Sequence, residues 1–364
     1  MPSRQPRPTF VPTALLAAAL LVAALAPAAA ATNDEIANLT GPDRRKILEE
    51  GAKKEGTVLW YTTLIVDQAA RPMADDFAKK TPFVKIEFVR MESSQLLQRV
   101  MAESRARSVR GDVVSADVGE SFKALGLAQA FRSPIMDEYP AVYRDPDRQW
   151  VQSRTSWQGI AWNTDKVPDD RAPKTWEALL DPKWKGQLAW AASSGTGAPR
   201  VITHFRKIWG EDKALDYLNK LKAQDIRTLP GSVRTVLDQV IAGEKAIGVS
   251  MSLHHIAISK AKGAPVFGTS PEPALARREA VAMLKNAPHP HAAMVLLDYL
   301  MAKDGGQLIM REAQYNPAHP AVEPLPELRW TQPNLNDKKE LLLTQEEEDS
   351  LQARSAELYK SVFR

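Results

Sequence analysis

Two adjacent histidines, His254 and His255, have the residue type and spacing that most directly suggest chemistry. They follow the apolar segment 246–250, which predicts a strand. Neutral imidazoles donate hydrogen bonds to an anion, and protonated imidazoles carry positive charge in mild acid. An alternative stays open from the sequence, in which one histidine faces a site and the other packs in the interior.

Two turns rich in serine and glycine form a second set of candidate binding residues. Each precedes a predicted helix, the second helix beginning near Thr235, so each offers hydroxyls and unpaired backbone N–H groups at a positive helix terminus. A guanidinium in the second turn is suited to pairing with a carboxylate or phosphate. Ordinary helix capping with an exposed arginine is the alternative. The residues are Ser193, Ser194, Gly195, Thr196, Ser232 and Arg234.

Short strand patterns alternate with helical patterns along the chain, which predicts an open α/β sheet built from parallel β-α-β units. Ligands bind such sheets at the carboxyl ends of the strands. Two predicted strands, 57–61 and 113–117, therefore direct attention to the residues that end or follow them. Those residues are Tyr61, Thr62, Thr63, Gly119, Glu120 and Ser121, with a helix predicted over 120–129.

Several kinds of chemistry are excluded or disfavoured. The chain has no cysteine, so disulfides, thiolate metal sites and cysteine nucleophiles are absent. No Gly-x-Ser-x-Gly elbow supports a hydrolase triad built on Ser193 and His254, and no phosphate-binding loop supports a nucleotide cofactor. The His289-x-His291 pair is interpreted as the start of a packing helix rather than a metal site. We therefore predict a protein that is not an enzyme, with no cofactor and no metal.

The first 31 residues have the layout of a secretory signal peptide. Arg4 and Arg7 precede an apolar run over 14–26, and Pro27 then leads into alanines that suit cleavage after Ala30 or Ala31. A run of about 13 apolar residues is shorter than the roughly 20 that a membrane-spanning helix needs. Removing Arg4 and Arg7 lowers the formal charge from +4 to +2, too little to indicate a nucleic-acid partner. The mature chain is predicted to be exported to the periplasm.

Five segments carry a family resemblance in their order and spacing. The segments are 57–63, 162–166, 176–186, 243–248 and 286–307. The chain resembles the type 2 periplasmic solute-binding proteins, in particular the family that includes the bacterial ferric-ion-binding proteins. The resemblance implies two α/β lobes, each an open mixed sheet flanked by helices, joined by a two-strand hinge. We expect residues 32–158 and 262–308 in the first lobe and 159–261 and 309–364 in the second, where a helical pattern over 341–359 is expected to pack.

The resemblance also implies a function. Such a protein captures a small molecule between its lobes by hinge closure and delivers it to an ABC permease in the inner membrane. We expect a periplasmic monomer with a small-molecule ligand and no nucleic-acid partner. A receptor that presents its ligand to a membrane sensor has the same sequence signature and remains a second alternative.

One departure from the family bears on the ligand. The ferric-binding relatives carry two adjacent tyrosines just after the strand that corresponds to 246–250, and this chain has Met251 to His255 there, without tyrosine. Because ferric ion prefers anionic oxygen ligands, imidazoles are poor replacements. The expected ligand is therefore an organic anion, phosphorylated or carboxylated, with Tyr61 or Trp157 as an apolar wall. Ferric iron or an iron chelate, held by His254 or His255 with Tyr61 or Glu120, remains the first alternative.

Overall fold

The computed structural model describes residues 31–117, 119–192 and 197–364. The predicted leader, apart from Ala31, lies outside these ranges, and so does the turn from Ser193 to Thr196. None of the described helices combines the length and apolar character needed to span a membrane.

The structure alternates strands and helices, as predicted. Its strands are β1 (Thr57–Thr62), β2 (Lys85–Arg90), β3 (Val113–Ala116), β4 (Ala128–Gln129), β5 (Val151–Asn163), β6 (Leu188–Ala191), β7 (Arg227–Leu229), β8 (Ile247–Ser252), β9 (Val266–Thr269), β10 (Ala274–Leu284), β11 (Asn316–Pro317) and β12 (Glu340–Leu341). Its helices are α1 (Asn33–Ala37), α2 (Arg44–Glu55), α3 (Arg71–Lys80), α4 (Ser93–Arg105), α5 (Gly119–Ala124), α6 (Ala198–Trp209), α7 (Glu211–Ala223), α8 (Val233–Ile241), α9 (Leu253–Ala261), α10 (Pro290–Met301), α11 (Gly306–Glu312) and α12 (Gln345–Phe363).

One hydrogen-bonded sheet runs through the described residues in the order β2-β1-β3-β10-β5-β8-β6-β7. The strands at its two ends are parallel, since β1 pairs with β2 and β3 and β6 pairs with β7 and β8. The two long central strands, β5 and β10, are antiparallel to each other and to their outer neighbours. These central strands are the predicted two-strand hinge, and the mixed α/β fold is confirmed.

Apolar clusters cover both faces of the sheet on each side of the central strands. Around β1, Val58 and Trp60 pack on one face, while Leu59 and Tyr61 pack on the other, as the alternation of a strand requires. We call this half of the molecule, built on β1, β2 and β3, the first lobe. The second lobe is built on β6, β7 and β8, with its core around Trp190.

The chain after residue 309 contributes to both lobes. Met310 and Tyr315 belong to the apolar cluster of the first lobe, whereas Leu358 and Tyr359 of α12 pack in the second lobe beside Trp190. The helical pattern over 341–359 thus forms α12, which packs on α6. The sequence boundaries assigned to the two lobes stay a prediction.

Candidate functional site

A cleft of about 120 Å³ lies where both lobes meet the central strands. Its first-lobe residues follow β1 and β2, and its second-lobe residues begin α8 and α9, so the ends of four elements converge on it. Residues of both hinge strands form its floor. The lining residues are Thr63, Ile65, Arg90, Glu92, Ser93, Arg154, Ser156, Ser232, Val233, Arg234, Ser252, His254, His255, Arg277, Glu279 and Tyr315.

The lining of the cleft carries more positive than negative charge. Four arginines line it against two glutamates, Glu92 and Glu279. On the hinge strands, Arg154 and Glu279 form an ion pair of 2.6 Å with both side chains buried. The hydroxyl of Thr63 also donates to Glu279 at 2.7 Å, so this carboxylate is satisfied by the protein. Each of the other three lining arginines also has a carboxylate partner, and two of these partners, Asp117 and Asp238, lie outside the lining.

Arg277 is fixed by a carboxylate that lies beside the cleft. Its Nε donates to Oδ2 of Asp117 at 2.6 Å, and Arg200 from α6 donates to the same oxygen at 2.9 Å. Burial opposes ionisation of Asp117, but the two guanidiniums outweigh burial and lower the pKa of its carboxyl. Asp117 therefore stays charged and keeps Arg277 oriented.

The cationic groups at the mouth of the cleft are more exposed. Arg90, which ends β2, pairs with Glu92 at 2.6 Å. Arg234 lies in the first turn of α8, where it donates to Ser259 at 3.1 Å and pairs with Asp238 at 2.6 Å. Ser232 occupies the N-cap position of the same helix, and its side chain makes no capping hydrogen bond. The amino end of α8 and its arginine thus present positive charge to the cleft.

The two histidines both line the cleft, and their ring centroids are 4.2 Å apart. The buried Nδ1 atom of each ring lacks a hydrogen-bond partner among the described residues. Burial lowers the pKa of His255 to about 3, with Arg234 and Arg154 adding to the effect, and burial and His255 lower the pKa of His254 well below its usual value. Both shifts favour neutral imidazoles in mild acid, which favours the hydrogen-bonding interpretation of the pair over the charged one.

Tyr315 is the phenol of the cleft, and its ring centroid is 5.1 Å from that of His254. The guanidinium of Arg154 lies 4.3 Å from the same tyrosine ring, close enough for a cation–π contact. Burial raises the pKa of the Tyr315 hydroxyl. The phenol is therefore protonated at neutral pH. No group of three or more His, Cys, Asp or Glu side chains is arranged to hold a metal ion within the described ranges.

Comparison with known proteins decides the family. The sequence profile of the bacterial extracellular solute-binding proteins matches residues 109–336. The chain belongs to this family. Because the family and the structural relatives are binding proteins of transporters, the prediction that the chain is not an enzyme is confirmed.

Relatives of this solute-binding protein include both iron and sugar-phosphate binders. Iron uptake protein A2 of Synechocystis is 24% identical over 71% of this chain and 78% of its own. An uncharacterised protein of Haemophilus influenzae is 29% identical over 63% of this chain and 68% of its own. Among solved structures, the periplasmic binding protein AfuA of Actinobacillus pleuropneumoniae, with fructose-6-phosphate bound, is 26% identical, covers 85% of this chain and 98% of its own, and has a TM-score of 0.70.

Five of the sequence-predicted site residues lie in the cleft of this solute-binding protein. They are Thr63, Ser232, Arg234, His254 and His255. The turn of Ser193, Ser194, Gly195 and Thr196 lies outside the described residues.

Tyr61 and Thr62 lie away from the cleft, which corrects the prediction. Tyr61 is fully buried on the face of β1 that α4 covers, and its hydroxyl donates to Glu103 at 2.7 Å. Thr62 is also fully buried, and its hydroxyl oxygen accepts from the amide of Leu64. The end of the predicted strand marked the correct edge of the sheet. Of the three residues predicted there, only Thr63 lies beyond the buried part of the strand and lines the cleft.

Trp157 is likewise not a wall of the cleft. It is buried in the second lobe, where its indole N–H donates to Glu340 of β12 at 3.1 Å. Gly119 and Glu120 line a different cavity, of about 150 Å³, together with Arg278. Ser121 follows them in α5, which is shorter than the predicted helix, and is not among the residues of either cavity.

Sequence reasoning missed six charged or aromatic residues of the cleft. They are Arg90, Glu92, Arg154, Arg277, Glu279 and Tyr315. Arg90 carried a usable signal, because it immediately follows the predicted strand 84–89. The charged residues of the hinge strands gave a weaker signal. A charge inside an otherwise apolar strand indicates that the side chain faces a polar cavity rather than the core.

Proposed function

We propose that this protein is the substrate-binding component of an ABC importer and that its ligand is a compact organic anion, phosphorylated or carboxylated. The observation that carries the proposal is the charge of the cleft, where four arginines face two carboxylates. One of those carboxylates, Glu279, is already satisfied by Arg154 and Thr63. The other three arginines pair with Glu92, Asp117 and Asp238, and an anionic group accepts from the guanidinium N–H groups that these pairs leave unused. The neutral imidazoles accept or donate hydrogen bonds to the rest of the ligand.

The mechanism is hinge closure rather than chemistry. Arg90 reaches the cleft from the first lobe, Arg234 from the second, and Arg277 from the hinge. An anion that contacts all three favours the arrangement in which the lobes are close together. A ligand shifts such an equilibrium only through its preference for one arrangement, and contacts from both lobes supply that preference.

The proposal also includes the cellular location of the protein and its partners. The predicted leader and the family together support a periplasmic protein released by signal cleavage. We expect a monomer that presents its closed form to a permease in the inner membrane. The likeness to AfuA, at 26% identity, supports a sugar phosphate as one ligand to test.

Isothermal titration of the mature protein, unfolded and refolded to remove bound ligand, tests the proposal. The panel contains inorganic phosphate, fructose 6-phosphate, a dicarboxylate and ferric citrate. We expect binding of an organic anion, and a loss of at least about tenfold in Arg234→Gln or Arg277→Gln, since each removes a charge-assisted contact. Arg45→Gln is the control, because Arg45 is 89% exposed and is not among the residues of the cleft. An anion affinity that both cleft variants retain would overturn the proposal.

Ferric iron is the second candidate, favoured by the names of the iron-uptake relatives and by the presence of one phenol, Tyr315, beside His254. The charge of the cleft and the raised pKa of that phenol oppose it. Ferric binding through Tyr315 predicts a visible phenolate-to-iron absorption band that Tyr315→Phe abolishes. Binding of ferric citrate without such a band indicates that the citrate, rather than the metal, is recognised.

A further inference from the structure

Among the cleft arginines, Arg277 has an unusual counterion. The partner of Arg154 is Glu279, which lies beside it on the hinge strands. The partner of Arg277 is Asp117, which follows β3 of the first lobe. Because β3 pairs with β10 at Ala116 and Ala280, the sheet holds Asp117 beside Arg277, and the counterion of Arg277 is supplied by the first lobe rather than by a hinge strand.

The same carboxylate also contacts the second lobe. Arg200, in the first turn of α6, donates Nη1 to Oδ2 of Asp117 at 2.9 Å. The other end of that guanidinium pairs with Glu348 of α12, a helix that packs on α6. Asp117 thus joins the first lobe, the hinge strand β10 and the second lobe through one oxygen atom.

Burial makes these contacts strong. The side chains of Asp117 and Arg200 are each 16% exposed, and that of Arg277 is 13% exposed. Ion pairs shielded from water in this way are weakly screened by salt. The Nη1 and Nη2 atoms of Arg277 have no hydrogen-bond partner in the described part of the chain, so they are the groups left to meet a ligand.

We propose that Asp117 is a positioning residue that couples anion binding to lobe closure, because it orients Arg277 toward the ligand and simultaneously pairs with Arg200 across the lobes. When the lobes separate, the pair with Arg200 breaks and Asp117 is left to neutralise Arg277 alone. When they close, Arg200 shares the carboxylate, and Arg277 offers more of its charge to the anion. This inference rests on the proposed anion ligand.

A double-mutant cycle with inorganic phosphate and fructose 6-phosphate as probes tests the coupling. Arg200→Gln is expected to weaken the binding of whichever probe the wild type holds by about tenfold, the size of one charge-assisted hydrogen bond. In the Asp117→Asn background, the same change is expected to have less than about a twofold effect. Arg200→Lys keeps the charge and is expected to restore most of the affinity. A tenfold effect of Arg200→Gln that persists beside Asp117→Asn would overturn the proposal.

Lys207→Gln is the matched control. Lys207 lies on the same helix and pairs with Glu347 of α12, so the variant removes a cation and an α6–α12 contact without touching the first lobe. Its affinity for the probe is expected to equal that of the wild type. A weakening equal to that of Arg200→Gln would show that the effect belongs to α6–α12 packing, against the proposal.

Lobe separation is measured independently of affinity. The chain has no cysteine, so Lys79→Cys on α3 and Lys213→Cys on α7, both exposed, accept a fluorophore pair that reports the distance between lobes. Without ligand, Arg200→Gln is expected to shift the distribution to longer distances, and Lys207→Gln is not. An unchanged distribution refutes the Asp117–Arg200 link. If the wild type binds no anion, the proposed function is refuted instead. The distances measured without ligand still test whether Asp117 and Arg200 hold the lobes together.

Discussion

Arg154 and Glu279 face each other on the two central strands, 2.6 Å apart, and their side chains are only 7% and 6% exposed. Two charges at this depth are costly to desolvate and are stable only as a pair. They are direct partners on the two hinge strands, at the position where the pairing register shifts, and they tie β5 to β10 beneath the cleft. The pair therefore belongs to the scaffold of the site.

Breaking this pair is expected to destabilise the protein strongly. Arg154→Met leaves Glu279 buried without its cation, and we expect the free energy of unfolding to fall by about 3–5 kcal/mol. Replacing both residues by Met is expected to recover most of that loss, because no unpaired charge remains. Urea unfolding of the ligand-free protein measures both variants. A double variant as unstable as the single one would contradict the interpretation.

The stability of the protein should depend on pH through the cleft histidines. The folded pKa of His254 and that of His255 lie below the ordinary value near 6.5, so the unfolded chain binds protons more readily. Their contribution is complete above about pH 6.5 and is lost as the pH falls towards the folded values. Each histidine that protonates only on unfolding lowers stability by about 1.4 kcal/mol per pH unit in that window.

The variant His254→Gln/His255→Gln isolates this effect. Its free energy of unfolding is expected to fall less steeply than that of the wild type between pH 6.5 and pH 4.5, and the two slopes are expected to agree above pH 7.5. Urea unfolding at a series of pH values gives the slopes. Equal slopes below pH 6.5 would show that the imidazoles already carry protons in the folded protein.

Tyr61 is expected to affect stability and not binding. Burial raises the pKa of its hydroxyl to about 12, aided by the hydrogen bond to Glu103. Tyr61→Phe removes that bond and should cost about 1.5 kcal/mol of unfolding free energy. Affinity for the anion should be unchanged, because the ring packs on the far side of β1 from the apolar cluster of Trp60 and away from the cleft. A loss of affinity by titration would place Tyr61 back in the site.

The C-terminal helix is expected to be part of the core of the second lobe. Leu358 of α12 is 3% exposed and packs in the cluster of Trp190. Leu358→Ala should lower the free energy of unfolding by about 2–5 kcal/mol, as for other buried leucines. Gln352→Ala, on the exposed side of the same helix, is the control and should change stability little. A Leu358→Ala protein as stable as the control would indicate an arm that does not pack.

The outer strands of the sheet could be predicted because their sequences obey simple patterns. The strand predicted over 57–61 became β1, and the alternating segment 84–89 became β2, each with a boundary shift of a single residue. β1 is a run of apolar residues and β2 alternates exposed with part-buried residues, and each of these patterns predicts a strand from hydrophobicity alone. Of the five segments that carry the family resemblance, 57–63 contains β1.

The hinge strands were harder because their polar residues are satisfied by partners that are distant in sequence. Only the last part of β5 was expected as a strand, since Gln152 and Arg154 interrupt the apolar pattern before it. Within β10, Arg277 and Glu279 interrupt the apolar pattern in the same way. Their partners, Asp117 and Arg154, lie more than 120 residues away. No local pattern encodes such pairs, and for this reason the candidate site was recovered only in part.

Successive residues of β10 serve opposite sides of the hinge, with Arg277 and Glu279 facing the cleft and Arg278 and Ala280 facing the second cavity. Under the proposed hinge closure, the backbone that flexes is therefore also the backbone that carries the charged residues of the cleft. A substitution on this strand that changes the ligand preference is expected to change the stiffness of the connection between the lobes as well. Under the same proposal, we expect that engineering a new ligand preference on this strand changes the rate of ligand release as well.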